Sequence, residues 1–347
     1  MLQIPTIPTL DTAAAEQARF RQGQLTKPAG SLGRLEELSI QIAAIQGTVR
    51  PDVTRKAVVI MAGDHGVAME GVSAYPPEVT PQMVLNFVSG GAAINVLARL
   101  AGARVSIVDM GVAFDFPPCS GIIDRKIARG TQNIAKGPAM TRQQAEQALT
   151  SGMEIAWQEI DRGLDIIATG DMGIGNTTPS SAIAVVFTGE PAVRVTGRGT
   201  GVDDKGLAAK VAVIAQAIRI NQPDKNDPVD VLAKVGGFEI GGLAGLIIGA
   251  ASRRVPVVVD GFISTAAALL AVELAPDVRP YLIAAHRSVE IGQRAMLEKI
   301  GIEPLIDLNL RLGEGTGAVL AFNLIEAAVC ILNEMATFAD AGVSNKE

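Results

Sequence analysis

Five short apolar runs, each closing on a glycine or a polar side chain, constrain this chain more than any other feature. They span residues 57–61, 105–108, 165–168, 256–259 and 281–284. Apolar runs of this length read as strands buried on both faces, which is the mark of a parallel sheet. Helical stretches separate them. Residues 141–160 open on the capping pattern Thr141-x-x-Gln144, and residues 207–220 and 289–300 are amphipathic. Strands alternating with helices predict an α/β fold with a doubly wound, mostly parallel sheet.

The runs lead in turn into Gly63-Asp64-His65-Gly66, Asp109-Met110-Gly111, Thr169-Gly170-Asp171-Met172-Gly173, Asp260-Gly261-Phe262 and His286-Arg287-Ser288. Open α/β sheets bind ligands outside the carboxyl ends of their strands, so the pattern predicts one polar crevice there. Residues 11–47 read as two helices joined around Lys27-Pro28-Ala29-Gly30-Ser31-Leu32-Gly33, and residues 318–338 as one long apolar helix. These termini are expected to pair as a small helical subdomain, 1–50 plus 318–347, beside a large catalytic α/β domain, 51–317. Residues 344–347 read as a frayed tail.

Composition narrows the function. Apolar residues make up 48% of the chain and aromatics 3%, so the core must be built from Ala, Val, Ile and Leu. The net charge is −6, with no cluster of Lys and Arg interleaved with aromatics, which speaks against a nucleic-acid partner. Residues 1–12 carry Pro5 and Pro8 and lack the apolar core of a signal peptide. The nearest candidate for a membrane span, residues 236–251, contains Glu239 and six glycines. Cys119 and Cys330 match no disulfide or metal pattern. The expectation is a soluble, cytoplasmic protein with no membrane partner.

Three glycine-rich segments carry candidate chemistry. Gly173-Ile174-Gly175-Asn176-Thr177-Thr178-Pro179 follows a strand and starts a helix. Free amides at a helix start bind anions, two glycines allow close approach, and Asn176, Thr177 and Thr178 add donors. The alternative is a tight strand–helix turn with a Thr cap. Gly197-Arg198-Gly199-Thr200-Gly201, followed by Lys205 and Lys210, reads either as a second wall of the anion site or as a flexible surface loop. Arg311-Leu312-Gly313-Glu314-Gly315-Thr316-Gly317 sets one carboxylate among glycines just before a helix. That carboxylate is either a proton acceptor in a cleft or a helix-capping Glu. His65 and His286 are the only histidines and form no ligand cluster, so no metal is expected; a lone His at a strand end is more often structural. No dinucleotide fingerprint and no Walker lysine occur, and Asp260 stands alone on its strand rather than as one of two adjacent acids.

Seven blocks together resemble one known family. They are Lys27-Pro28-x-Gly30-Ser31-Leu32-Gly33-Arg34-Leu35-Glu36, Asp64-His65-Gly66-Val67, Gly170-Asp171-Met172-Gly173-Ile174-Gly175-Asn176-Thr177-Thr178, Asn221-Gln222-Pro223, Lys234-Val235-Gly236-Gly237-Phe238, Asp260-Gly261-Phe262 and Arg311-Leu312-Gly313-Glu314-Gly315. In this order the chain resembles the nicotinate-nucleotide–dimethylbenzimidazole phosphoribosyltransferases. The resemblance implies a homodimer with a Rossmann-like large domain. It implies transfer of phosphoribose from nicotinate mononucleotide to 5,6-dimethylbenzimidazole, giving α-ribazole phosphate and nicotinate in cobalamin nucleotide-loop assembly, with no cofactor. Glu314 matches the family's catalytic glutamate. Asp171 stands where the family often has Glu, which sets its carboxylate one methylene further back and gives it an auxiliary catalytic role. The resemblance places Gly173, Gly175, Asn176, Thr177, Thr178, Gly199, Lys210 and Asp260 around the nucleotide and its phosphate. Tyr75, Met83 and Leu312 are the candidates for the base pocket, with another benzimidazole, a purine or a phenol as alternative acceptors. Two other readings are a nucleotide-binding regulatory protein, against which Glu314 argues, and a nicotinamide-cofactor oxidoreductase, against which the missing fingerprint argues.

Overall fold

The computed structural model describes residues 2–344 apart from residue 119; Cys119 and the tail expected beyond Ser344 lie outside the described residues. The main sheet has six strands: β1 (Lys56–Gly63), β2 (Ala103–Gly111), β3 (Ile122–Asp124), β4 (Ile166–Met172), β5 (Val257–Val259) and β6 (Leu282–Ala284). All pair in parallel, in the order β3-β2-β1-β4-β5-β6. This is the doubly wound Rossmann order, whose direction reverses between β1 and β4. Each of the five predicted runs overlaps a strand. Two short strands, β7 (His286–Ser288) and β8 (Ile306–Leu310), form a separate pair; neither they nor β3 is expected from the sequence, because each is brief and half-exposed.

Alternate residues of β1 feed two cores. Ala57, Val59 and Met61 face helices α5 (Arg142–Asp161), α6 (Thr177–Thr188), α8 (Asp204–Asn221), α9 (Pro228–Val235), α10 (Phe238–Ser252), α11 (Phe262–Leu274) and α12 (Gly292–Ile300), with the short α7 (Ala192–Val195) at the rim. Val58, Ile60 and Ala62 face α2 (Arg34–Gln46), α3 (Val79–Val88), α4 (Ala93–Ala101) and α13 (Thr316–Glu334). The capping box of α5 forms as predicted: Gln144 N–H donates to Thr141 Oγ1 at 3.2 Å and Thr141 N–H to Gln144 Oε1 at 2.9 Å.

The glycines of α10 have a packing reason. A Cβ on Gly152 of α5 would lie 1.9 Å from the Gly242 carbonyl, and one on Gly245 would lie 2.0 Å from the Leu149 carbonyl. The two backbones touch along a seam that admits no side chain. This brings the start of α10, with Glu239, beneath the ends of β1 and β4.

The terminal helices α1 (Thr12–Gln24), α2 and α13, followed by the short α14 (Phe338–Ala341), pack together. Arg21 of α1 donates to the Leu332 carbonyl at 2.6 Å and closes the end of α13. This bundle shares its core with the sheet, since Leu38, Ile42, Phe322 and Ile325 join the same apolar cluster as Val58 and Ile60. Two helical stretches, Val79–Ala101 and Thr316–Glu334, are apolar and long enough to cross a membrane by composition, whereas the sequence points first to residues 236–251. The first is broken between α3 and α4, and the second packs against the sheet.

Candidate active site

The carboxyl ends of β1 and β4 flank the reversal point, and the candidate residues gather there. One arm of the candidate site is the start of α6. Thr177 is the half-exposed residue of its turn. Its hydroxyl lies 2.6 Å from Nζ of Lys210 on α8, which is fully buried and also points at the Gly197 carbonyl, 3.4 Å away. Burial pulls this ammonium down to about 8, opposed by the Glu290 carboxylate. Lys205 is exposed to solvent.

The rest of the α6 turn differs in detail from the sequence reading. Thr178 is fully buried, and its hydroxyl has no hydrogen-bond partner among the described residues. Asn176 donates its side-chain amide to Asp171 at 2.9 Å, and its N–H closes the turn onto the Gly173 carbonyl at 3.1 Å. Gly173 and Gly175 have local reasons to be glycine: a Cβ on Gly173 would lie 2.3 Å from the Gly63 carbonyl, and Gly175 has φ +90°. Gly199 forms the second wall. Its N–H donates to Glu290 Oε1 at 2.8 Å, and Arg311 Nη1 reaches its carbonyl at 3.3 Å, tying the anion loop to the loop that bears Glu314.

The other arm is acidic. Glu314 sits at φ +64° between Gly313 at +80° and Gly315 at +89°. A non-glycine residue held there costs about 1–2 kcal/mol. The turn is pressed onto the sheet, since a Cβ on Gly170 of β4 would lie 2.7 Å from the Glu314 carbonyl. The side chain is 5% exposed and its Oε2 has no hydrogen-bond partner among the described residues. Burial pushes its carboxyl up to about 7; the Ile94 N–H at the start of α4 opposes this and the charge of Asp260 adds to it. Asp171 lies alongside: a Cβ on Gly313 would meet its Oδ1 at 3.2 Å. Burial, then the charges of Asp260 and Glu239, hold the Asp171 carboxyl well above the usual range.

Asp260 departs from the expected nucleotide contact. Its Oδ2 accepts from Gly315 N–H at 3.1 Å and its Oδ1 from Ala318 N–H at 2.9 Å. Both oxygens therefore face the Glu314 turn. Of the expected base-pocket residues, Leu312 is exposed beside Glu314, Met83 is half-buried on α3, and Tyr75 is exposed on the preceding segment. That segment joins the anion wall through Ala74 N–H, 2.9 Å from Thr200 Oγ1. Thr80, near the start of α3, accepts from Ile174 N–H at 3.1 Å.

Sequence reasoning passed over several residues of this site. Glu239 pairs with His65, Nε2 to Oε1 at 2.8 Å, and both are buried. Burial works against charge on His65, but Glu239 holds the ring above its ordinary value. A lone carboxylate one residue into a wholly apolar helix is the signal that could have marked Glu239. Glu290 carries no such signal, because it follows a short, half-exposed strand. His65 and His286 are buried and engaged with acids, in keeping with a structural role.

A doubly wound sheet with a buried lysine and a buried, poised carboxylate beside its reversal point has the framework of an α/β enzyme. A family model described as phosphoribosyltransferase matches residues 7–343. The nicotinate-nucleotide–dimethylbenzimidazole phosphoribosyltransferase of Roseiflexus sp. is 63% identical over 99% of this chain and 97% of its own length, and that of Geobacter sulfurreducens is 59% identical over 96% and 95%. The crystal structure of CobT from Thermus thermophilus superposes with a TM-score of 0.93 at 49% identity, covering 96% of this chain and 100% of its own. The chain belongs to the nicotinate-nucleotide–dimethylbenzimidazole phosphoribosyltransferase family.

Proposed function

We propose that this enzyme moves the phosphoribosyl group of nicotinate mononucleotide onto 5,6-dimethylbenzimidazole or a closely related base, for cobalamin nucleotide-loop assembly. The observation that carries the reading is Glu314: a buried carboxylate poised near neutrality, with one oxygen free, on a loop tied to the anion pocket. The nucleotide phosphate sits against Lys210, Thr177 and the Gly199 loop. The acceptor ring lies between Leu312, Met83 and Tyr75, and Asp171 lines the floor.

One ring nitrogen of the base attacks the anomeric carbon on the face opposite nicotinate. The carbon–nitrogen bond to nicotinate breaks, its electron pair relieves the pyridinium charge, and the configuration changes from β to α. The proton on the other ring nitrogen passes to Glu314 Oε2. Nicotinate is a good leaving group, so the protein's work is positioning and charge complementarity. Asp171, whose carboxyl burial and its acidic neighbours hold well above the usual range, lies beside Glu314 as the auxiliary group.

The enzyme works as a cytoplasmic homodimer. In support, Leu85, Val88, Val96 and Leu100 of α3 and α4 leave an apolar face in solvent, with Leu100 74% exposed. Light scattering should give twice the chain mass, and Leu100→Glu should reduce it. The activity is tested by incubating the protein with nicotinate mononucleotide and dimethylbenzimidazole. Stoichiometric nicotinate and α-ribazole phosphate are expected, and absence of both refutes the reading.

A further inference from the structure

The helix that follows Glu314 has no cap of its own. α13 begins after Gly315, whose residue type offers no capping side chain, and the first amides of a helix need acceptors from elsewhere. Asp260 supplies them from the end of β5. It is 1% exposed and spends both carboxylate oxygens on Gly315 N–H and Ala318 N–H. Its own N–H is fixed by Thr169 Oγ1 at 3.2 Å, so the acceptor is anchored in the sheet. His286 stands behind it, Nε2 3.6 Å from Oδ1, and neither ring nitrogen has a hydrogen-bond partner among the described residues. The ring is pressed onto the first turn of α13, where a Cβ on Gly317 would lie 2.0 Å from its Cδ2.

We propose that Asp260, backed by His286, is a positioning residue for the transfer reaction: it latches the three-residue left-handed turn that presents Glu314. Without the latch, the turn loses the contacts that hold Gly313, Glu314 and Gly315 at positive φ, and Glu314 relaxes toward ordinary backbone geometry. This rests on Glu314 being the base. Asp260 also acts on Glu314 by charge. The ionisable groups around the latch are His286 behind it and Asp171 and Glu314 in front, and the Asp260 charge makes Glu314 harder to ionise.

Asp260→Asn tests the latch, because an amide keeps the shape but sets its NH₂ against one of the two backbone donors. Turnover should fall about 10- to 100-fold, the usual effect of a misplaced reacting group, while KM for the nucleotide stays within about twofold. The acid limb of the pH–rate profile should move to lower pH, which a merely structural residue would not cause. On an E314Q background the same change should have little further effect. Hydrogen exchange on the unmodified enzyme gives a readout independent of folding in any variant: the Gly315 and Ala318 amides should be protected, unlike ordinary first-turn amides. If E314Q turns over like the parent, the base reading falls and the positioning role with it. If E314Q is slow but D260N keeps the parent's turnover and acid limb, or if the two amides exchange unprotected, the latch alone is overturned.

Discussion

Replacing Glu314 by Gln should slow the chemistry and stabilise the fold in the same molecule. The amide is nearly isosteric. Its oxygen can keep the Ile94 N–H, and its NH₂ takes the place of the unpartnered Oε2. Losing a general base costs about 10²–10⁴-fold, so turnover should fall by that order with modest change in substrate binding. The stability effect follows from linkage. The Glu314 carboxyl rises from 4.5 to about 7 in the folded protein, and each unit is worth about 1.36 kcal/mol. The ionised side chain thus weakens the fold by about 3 kcal/mol. That penalty is absent below the unfolded value, where both states hold the proton; it grows as pH rises and is complete above about 7. The Gln variant should therefore match the parent in melts at about pH 4 and exceed it at about pH 8.5, where the full penalty applies. Single-turnover release of nicotinate reads the chemistry. A variant that releases nicotinate within a few-fold of the parent rate removes Glu314 as the base. A variant slow in turnover but no more stable at high pH leaves the base and refutes the buried-charge account of why it is poised.

Lys210→Ala should weaken nucleotide binding by about 1.5–3 kcal/mol, the worth of a charge-assisted contact, and leave benzimidazole binding unchanged in calorimetry. In the parent, nucleotide affinity should fall as pH rises through about 8, where the buried ammonium loses its proton; the Ala variant should be flat there. Asp171→Glu should keep most activity and Asp171→Ala lose much of it, and an Ala variant as active as the parent would make the position structural. Changing Tyr75, Met83 or Leu312 should reorder a panel of benzimidazoles, adenine and phenol without changing nucleotide affinity; an unchanged ranking would take the residue out of the pocket.

The sheet was legible because each of its five main strands carries a short, mostly apolar run, as burial on both faces favours. β3, β7 and β8 were not, because half-exposed strands of three to five residues leave no period to read. Within the candidate site, Lys210 meets Thr177, Asn176 ties the α6 turn to Asp171, and Arg311 ties the Gly199 loop to the loop bearing Glu314. Glycine was the least reliable guide. Gly173 and Gly175 read as room for a phosphate, yet the missing Cβ of Gly173 accommodates the Gly63 carbonyl and Gly175 holds a φ of +90°. A sequence shows that a side chain is absent but not which neighbour requires it. Asp260 illustrates the same limit. An acid at a strand end faces the crevice by topology, but which backbone amides it meets depends on where α13 starts, 55 residues later.

The glycine seam between α5 and α10 bears on how this enzyme could be adapted to heat. Exchanging helix glycines for alanine is an ordinary route to a more heat-resistant protein, worth about 1 kcal/mol each where the new methyl group finds space. Gly152, Gly245 and Gly249 are the obvious targets, being buried in two long helices. Each would drive its methyl into a neighbouring backbone or side chain at 1.9–2.8 Å. Prying the helices apart would lift the start of α10, and with it Glu239, from under the crevice. Gains in heat resistance must therefore come from the surface and the loops, because between these two helices alanine wedges the floor of the site apart.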